Sequence, residues 1–140
     1  MNYIFESIFI GIYSVVIYLF FHKFIKNFYI LLLVCGFFKH MLGFFFKIHT
    51  YYCNYGEACI KEHTNKNTNI KYYANALYLF NDSIFEALAY LILGTLLKML
   101  VTTNMLYIFF YTGIILHILS ELFQIHKSFC IKSCDKNITN

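Results

Sequence analysis

A bundle of four membrane-spanning α-helices is the fold this sequence predicts. The chain is 60% hydrophobic, 21% aromatic and only 13% charged, with a mean hydropathy of +0.61, a mix far from that of a soluble domain. Four apolar stretches, Tyr3 to Phe21, Phe28 to Thr50, Tyr73 to Leu100 and Met105 to His126, are long enough to cross a hydrocarbon core of about 30 Å at about 1.5 Å per residue. In a chain of 140 residues these spans predict one compact all-α domain, residues 1–140, with no room for a second.

The first stretch carries Glu6, has no basic residue ahead of it and is not followed by a small-residue cleavage site. It is therefore expected to stay as the first helix rather than to be removed as a signal peptide. The second bears Gly36, His40, Gly43 and Lys47 at intervals of four, three and four, which is one helical face. Small residues on a face let another backbone approach closely, so this face is expected to point into the bundle. Lys39 lies off the stripe and receives no role. Residues 51–72 read as a polar loop; its asparagine-rich part between Glu62 and Lys71 has nothing apolar to bury and is expected to be mobile. The third span aligns Asn75, Tyr78, Asp82 and Glu86, and the fourth aligns Gly113, His117, Ser120, Glu121 and Gln124. A cysteine-containing tail, 127–140, follows. We find no coiled-coil heptad outside the membrane and no internal repeat.

Pro and Trp are absent, as is Arg, while Phe, Tyr, Ile, Asn and Lys abound, the usage that an AT-rich genome imposes. Tyr3, Tyr51, Tyr52, Tyr72 and Tyr73 stand in for a tryptophan belt at one interface. An even number of spans places both termini on one face, called B, together with the 51–72 loop. Lysines outnumber those of the opposite face A, which favours a cytosolic B.

The cysteines point the other way. Cys53, Cys59, Cys130 and Cys134 all fall on face B, and four clustered thiols beside a membrane predict two disulfides, local or crossed, in an oxidising compartment. Zinc binding or palmitoylation are the alternatives for a cytosolic B. Neither pair has the Cys-x-x-Cys spacing of redox-active dithiols. Asn137-Ile138-Thr139 is a glycosylation acceptor pattern on the same face. The expected location is thus a multi-pass integral membrane protein with termini and cysteines on a lumenal or exoplasmic side.

Ionisable groups in hydrocarbon cost several kcal/mol unless they pair, line a wet cavity or bind an ion. Counted from the tyrosine girdle, His40, Asp82 and His117 all lie roughly 14 to 16 Å deep, with Glu86 one turn deeper and Glu121, Lys47 and Glu6 nearer face B. A polar funnel open to B follows. Two imidazoles and a carboxylate at one level suit a divalent metal, zinc or iron, with His40, Asp82 and His117 as ligands and Glu86 and Glu121 as catalytic carboxylates. A metal-bound water would attack a lipid ester, amide or phosphodiester, making the chain a metal-dependent intramembrane lipid hydrolase. Without a metal the same residues would translocate protons or an ion. As hydrogen-bonding glue between helices, they would belong to a small integral membrane protein of unassigned activity that works by assembly as a homo- or hetero-oligomer. The partners are the lipid bilayer and a lipid substrate, with no nucleic acid. Because carboxylates at i and i+4 repel, one of Asp82 and Glu86 must be paired or protonated; depth makes Asp82 the charged partner, beside Lys47, and Glu86 the neutral one.

No His-Glu-x-x-His helix, Gly-x-Ser-x-Gly elbow, phosphate-cradling loop or potassium filter is present. The segments Lys39-His40-Met41-Leu42-Gly43 and Ile48-His49-Thr50-Tyr51-Tyr52-Cys53 through Cys59 resemble a stretch of uncharacterised multi-pass membrane proteins of large AT-rich DNA viruses. That resemblance implies a viral or host-derived internal membrane and carries no activity with it.

Overall fold

The computed structural model describes residues 3–63, 71–101 and 103–136. Over them the chain forms α1 (Tyr3–Phe21), α2 (Phe28–Phe45), α3 (Ile48–Tyr55), α4 (Glu57–His63), β1 (Tyr72–Ala74), α5 (Leu79–Leu100), α6 (Met105–Leu122), α7 (Ile125–Lys132) and β2 (Cys134–Lys136). Helices α1, α2, α5 and α6 have the length and hydropathy of membrane spans. The all-α four-helix bundle is therefore the observed fold.

Its main contacts are two helix pairs, α1 with α6 and α2 with α5. Glycine sets both distances: a Cβ on Gly36 would lie 2.8 Å from the Ala87 Cα, and one on Gly113 would lie 2.9 Å from the Ile10 carbonyl oxygen. Without a hydrophobic driving force between helices in lipid, such backbone-to-backbone packing is what holds spans together. Toward face A the interior is closed by Ile17, Leu31, Leu32, Cys35, Tyr90 and Phe109. Phe5, Phe20, Ile92 and Leu100 are exposed on the outside, as lipid-facing side chains are.

The second and fourth spans end earlier than sequence patterning predicts, at Phe45 rather than Thr50 and at Leu122 rather than His126. Hydropathy does not register the cause, which is in the backbone. Lys47 (φ 59) and Gln124 (φ 58) are left-handed, a conformation that costs roughly 1–2 kcal/mol for a residue with a Cβ and interrupts the helical ladder. Short helices α3 and α7 then begin. Asn27 and Asn104 start the same two spans, their side-chain oxygens accepting from Tyr29 N–H at 3.0 Å and Leu106 N–H at 3.0 Å, the hydrogen bond that favours Asn at an N-cap. The third span starts at Leu79 because residues 72–74 leave the helix to form β1.

Within the stretch 51–72 read as a loop, the described residues form part of α3, α4 and β1, which belong to a stapled cap on face B. Strand β1 pairs antiparallel with β2, Tyr73 opposite Asp135 and Ala74 opposite Cys134. Cys53 bonds Cys134 and Cys59 bonds Cys130, with Cα separations of 5.7 and 5.2 Å, inside the range a disulfide requires. Of the three connectivities open to four cysteines, one of the two crossed ones is found. Ala58 and Tyr72 are buried with these cysteines in a second small core, which is why α3 and α4 are ordered. Residues 64–70, which include most of the asparagine-rich run, and Asn137-Ile138-Thr139 lie outside the described residues.

Cys35 is the single free cysteine of the chain's five. Denatured but unreduced protein should therefore label one thiol per chain with an alkylating reagent, and reduction should expose the other four. Replacing Cys53 and Cys134 together by Ala should cost about 2–5 kcal/mol in thermal melts. Five reactive thiols before reduction would contradict the two disulfides.

Candidate functional site

The close approach at Gly36 places α5 against the next turn of α2, and Glu86 projects between Lys39 and His40. Its carboxylate is held by both: Lys39 Nζ forms an ion pair with Oε1, and His40 Nδ1 lies 2.8 Å from Oε2. Adjacent helix positions point about 100° apart, so two neighbours on α2 can grip one carboxylate from either side. Lys39 is 8% exposed; its ammonium also sits 5.3 Å from the centre of the Tyr90 ring. The opposite charges satisfy one another where neither alone would be tolerated.

A second carboxylate–imidazole contact joins α1 to α6. His117 Nε2 lies 3.5 Å from Glu6 Oε2, at ion-pair distance but outside hydrogen-bonding geometry, and both atoms are buried without a hydrogen-bond partner. The other oxygen of Glu6 accepts from the Glu57 N–H at 2.8 Å, so the cap holds this carboxylate from above. Each span imidazole packs against one from a cap helix: His40 against His49 with ring centres 4.5 Å apart, and His117 against His126 at 4.4 Å. His126 Nδ1 in turn lies 3.3 Å from Glu121 Oε2.

Lys39, His40, Glu86 and His49 of the first set, and His117 and His126 of the second, line one cavity of about 600 Å³ beneath the cap, while Glu6 stands outside the lining. Phe85 of α5 and Phe123, at the end of α6, are on its wall and yet 71% and 72% exposed. Its mouth therefore opens sideways between these helices, at membrane depth, with Asp82 and Lys132 also on the lining. Inside, His40 Nε2 is buried and has no hydrogen-bond partner.

Of the residues the sequence singled out, His40, Asp82, Glu86 and His117 line this cavity, while Glu121 stands outside the lining beside His126. The carboxylate assignment is reversed. Glu86 is the ion-paired group, and Asp82, half-buried, takes part in none of the ion pairs among the described residues. Depth counting failed because it named Lys47 as the counter-ion. Lys47 is exposed in the left-handed link after α2, whereas Lys39, set aside as off-stripe, is the buried cation. A mid-span lysine needs a carboxylate at its own depth, and Glu86 was available. His49 and His126 were missed because the spans were drawn through them.

Comparison with protein-family models, with curated proteins and with solved structures gives no match.

His40, Asp82 and His117 do not form a metal-ligand set. Among the described residues the one group of three ligand side chains with atoms within 4.8 Å of each other is Cys59, His63 and Cys134, and both of its sulfurs are in disulfides, which removes the thiolates a metal would take.

Burial drives the imidazole of His49 down to about 3, with nearby His40 adding to the effect. Burial followed by His117 does the same to His126, also to about 3. Both rings are thus neutral at pH 7.

Unfolding releases these two histidines to an ordinary value of about 6.5, so the unfolded chain binds more protons between pH 6.5 and 3. Their contribution to stability is complete above pH 6.5 and falls with acidification, by about 2 kcal/mol per ring at pH 5. Melts in detergent between pH 7.5 and 5 should show this loss, and H49F with H126F should flatten it. For the ion pair, E86Q strands Lys39 in the bundle and should cost about 3 kcal/mol or more. D82N, which breaks no ion pair, should cost under about 1 kcal/mol. The reverse order would refute the pairing.

Proposed function

We propose that this chain is a small integral membrane protein that binds a lipid bearing a hydroxyl or amide N–H, admitted sideways from the bilayer into the cavity beneath the cap. The observation that carries this reading is His40 Nε2, buried at the wall of the cavity without a hydrogen-bond partner. The Glu86 carboxylate only accepts hydrogen bonds, so it selects the tautomer with hydrogen on Nδ1. Nε2 is then a lone pair, buried and unmatched, a state that costs about 1–3 kcal/mol. A ligand donor relieves that cost.

The remaining features support the same ligand. The volume is in the range of small-molecule pockets, roughly 300–1,000 Å³. The exposed Phe85 and Phe123 at the mouth match an acyl chain that stays partly in the bilayer. A through-pathway for ions is not favoured, since the apolar core around Leu32, Tyr90 and Phe109 closes the face A half. Metal-assisted hydrolysis is not favoured either, since the ligand set does not converge. The two disulfides support an oxidising compartment on face B, hence lumenal or exoplasmic termini despite the lysine count. A viral or host internal membrane is the setting that the resemblance of the His40 to Cys59 segment supports.

Oleyl alcohol should raise the melting temperature of the detergent-solubilised protein, whereas methyl oleate, with no hydrogen-bond donor, should do so far less. H40A should abolish the difference, and H40Q, which retains an acceptor, should preserve part of it. Equal stabilisation by both lipids would remove the basis for the proposal.

A further inference from the structure

The spans that pack together also share local sequence. Asn27, Gly36, His40, Phe46, Ile48, His49 and Cys53 recur with identical spacing as Asn104, Gly113, His117, Phe123, Ile125, His126 and Cys130. Ile4-Phe5-Glu6-Ser7 of α1 recurs as Ile84-Phe85-Glu86-Ala87 of α5. The backbone agrees throughout. Helices α2 and α6 are both 18 residues long, α3 and α7 are both 8, and each couple is joined through one left-handed residue, Lys47 or Gln124. An AT-rich composition would produce chance matches in Phe and Ile, but it would not place them in equivalent contacts. Here the second helix of one half packs on the first helix of the other in both pairs. The imidazole of each half meets the glutamate of the other, and each disulfide joins Cys53 or Cys130 to the last cysteine of the opposite half. Each half contributes two spans, so the two run in the same direction through the membrane, as parallel repeats do. The sequence-based expectation of no repeat is corrected accordingly: the copies are hidden by unequal links between their first two helices and by divergence everywhere outside these positions.

We propose that the chain is an internal duplication of one helix–helix–short-helix unit, and that the cavity between the copies is a double site in which His117 is a second lipid-contacting imidazole equivalent to His40. The lipid contact rests on the function proposed above; the equivalence of the halves does not. His117 lines the same cavity, with Glu6 behind it at 3.5 Å and outside the lining, and its Nε2 is buried with no hydrogen-bond partner. A ligand hydroxyl can donate to the imidazole or accept from it according to tautomer. One hydroxyl to each half makes the favoured ligand a single-chain lipid with a diol head. The halves differ at one telling position: Lys39 corresponds to Leu116, so the first carboxylate has an ammonium and the second does not.

Two experiments on the full-length protein decide between outcomes. The first supplies the missing lysine. K39L should lower the melting temperature by leaving Glu86 without its cation, whereas L116K should lower it far less, because the new ammonium meets Glu6 as Lys39 meets Glu86. E6Q/L116K should melt well below L116K, because the new ammonium is then left without a carboxylate. L116K that melts as low as K39L, with no further loss in E6Q/L116K, would overturn the equivalence. The second compares 1-oleoylglycerol, which has two free hydroxyls, with oleyl alcohol, which has one. The wild type should bind the diol roughly fivefold more tightly, the worth of one added hydrogen bond. H117A, or H117N if the former does not fold, should erase that preference without abolishing oleyl alcohol binding. Full retention of the preference would overturn the double site. Failure of the wild type to bind either lipid would sink the lipid reading and, with it, the double lipid site, while the melts still decide the duplication.

Discussion

Glu86 is the constraint around which the rest of the bundle is organised. A carboxylate at that depth is tolerable only with a cation and a hydrogen-bond donor at contact, and α2 supplies both from adjacent positions, Lys39 and His40. Contact requires that α2 and α5 come closer than ordinary side chains permit. Gly36 is placed where a Cβ would collide with α5, 2.9 Å from the Glu86 carbonyl oxygen itself. The charge, the donor and the glycine therefore form one requirement, and loss of any one leaves the other two misplaced. Tyr90, buried beside the ammonium, extends that requirement into the apolar core below.

The cap makes the cavity. Spans that stopped at the interface would leave His40 and His117 beneath an open mouth on face B. Instead the left-handed residues Lys47 and Gln124 turn the chain into α3 and α7, whose His49 and His126 lie against the span imidazoles. Two disulfides and a short sheet hold those helices together. Neutral rings are what such a lid needs, because charged ones would repel their partners over the cavity. Closed toward A by the apolar core and toward B by the cap, the cavity opens through its side, at Phe85 and Phe123.

Duplication accounts for why polar groups occur at two places in the bundle instead of one. Each half brings one glutamate on its first helix and one histidine on its second, and the pairing across the halves ties α1 to α6 and α2 to α5 with the same chemistry. Divergence then set the two apart. Lys39 neutralises one carboxylate, while the Glu57 N–H and the cap hold the other.

Composition and span length determined the fold class by themselves, because a bilayer admits few architectures for four apolar segments of this size. Glycine spacing likewise identified which face of α2 turns inward, and cysteine clustering identified the four bonded thiols without their connectivity. Pairing was beyond reach. Helical periodicity gives the direction of a side chain around its own axis but not which helix stands opposite, so Lys39 was lost as off-stripe and Lys47 was matched to the wrong carboxylate. The ends of α2 and α6 escaped for a related reason: hydropathy continues smoothly through Lys47 and Gln124, and only the folded backbone places them at positive φ. Tertiary structure decided the partner of each charge, the crossing of the disulfides and the convergence of two halves on one cavity, because those depend on which surfaces meet, and that is settled by packing between segments distant in the chain.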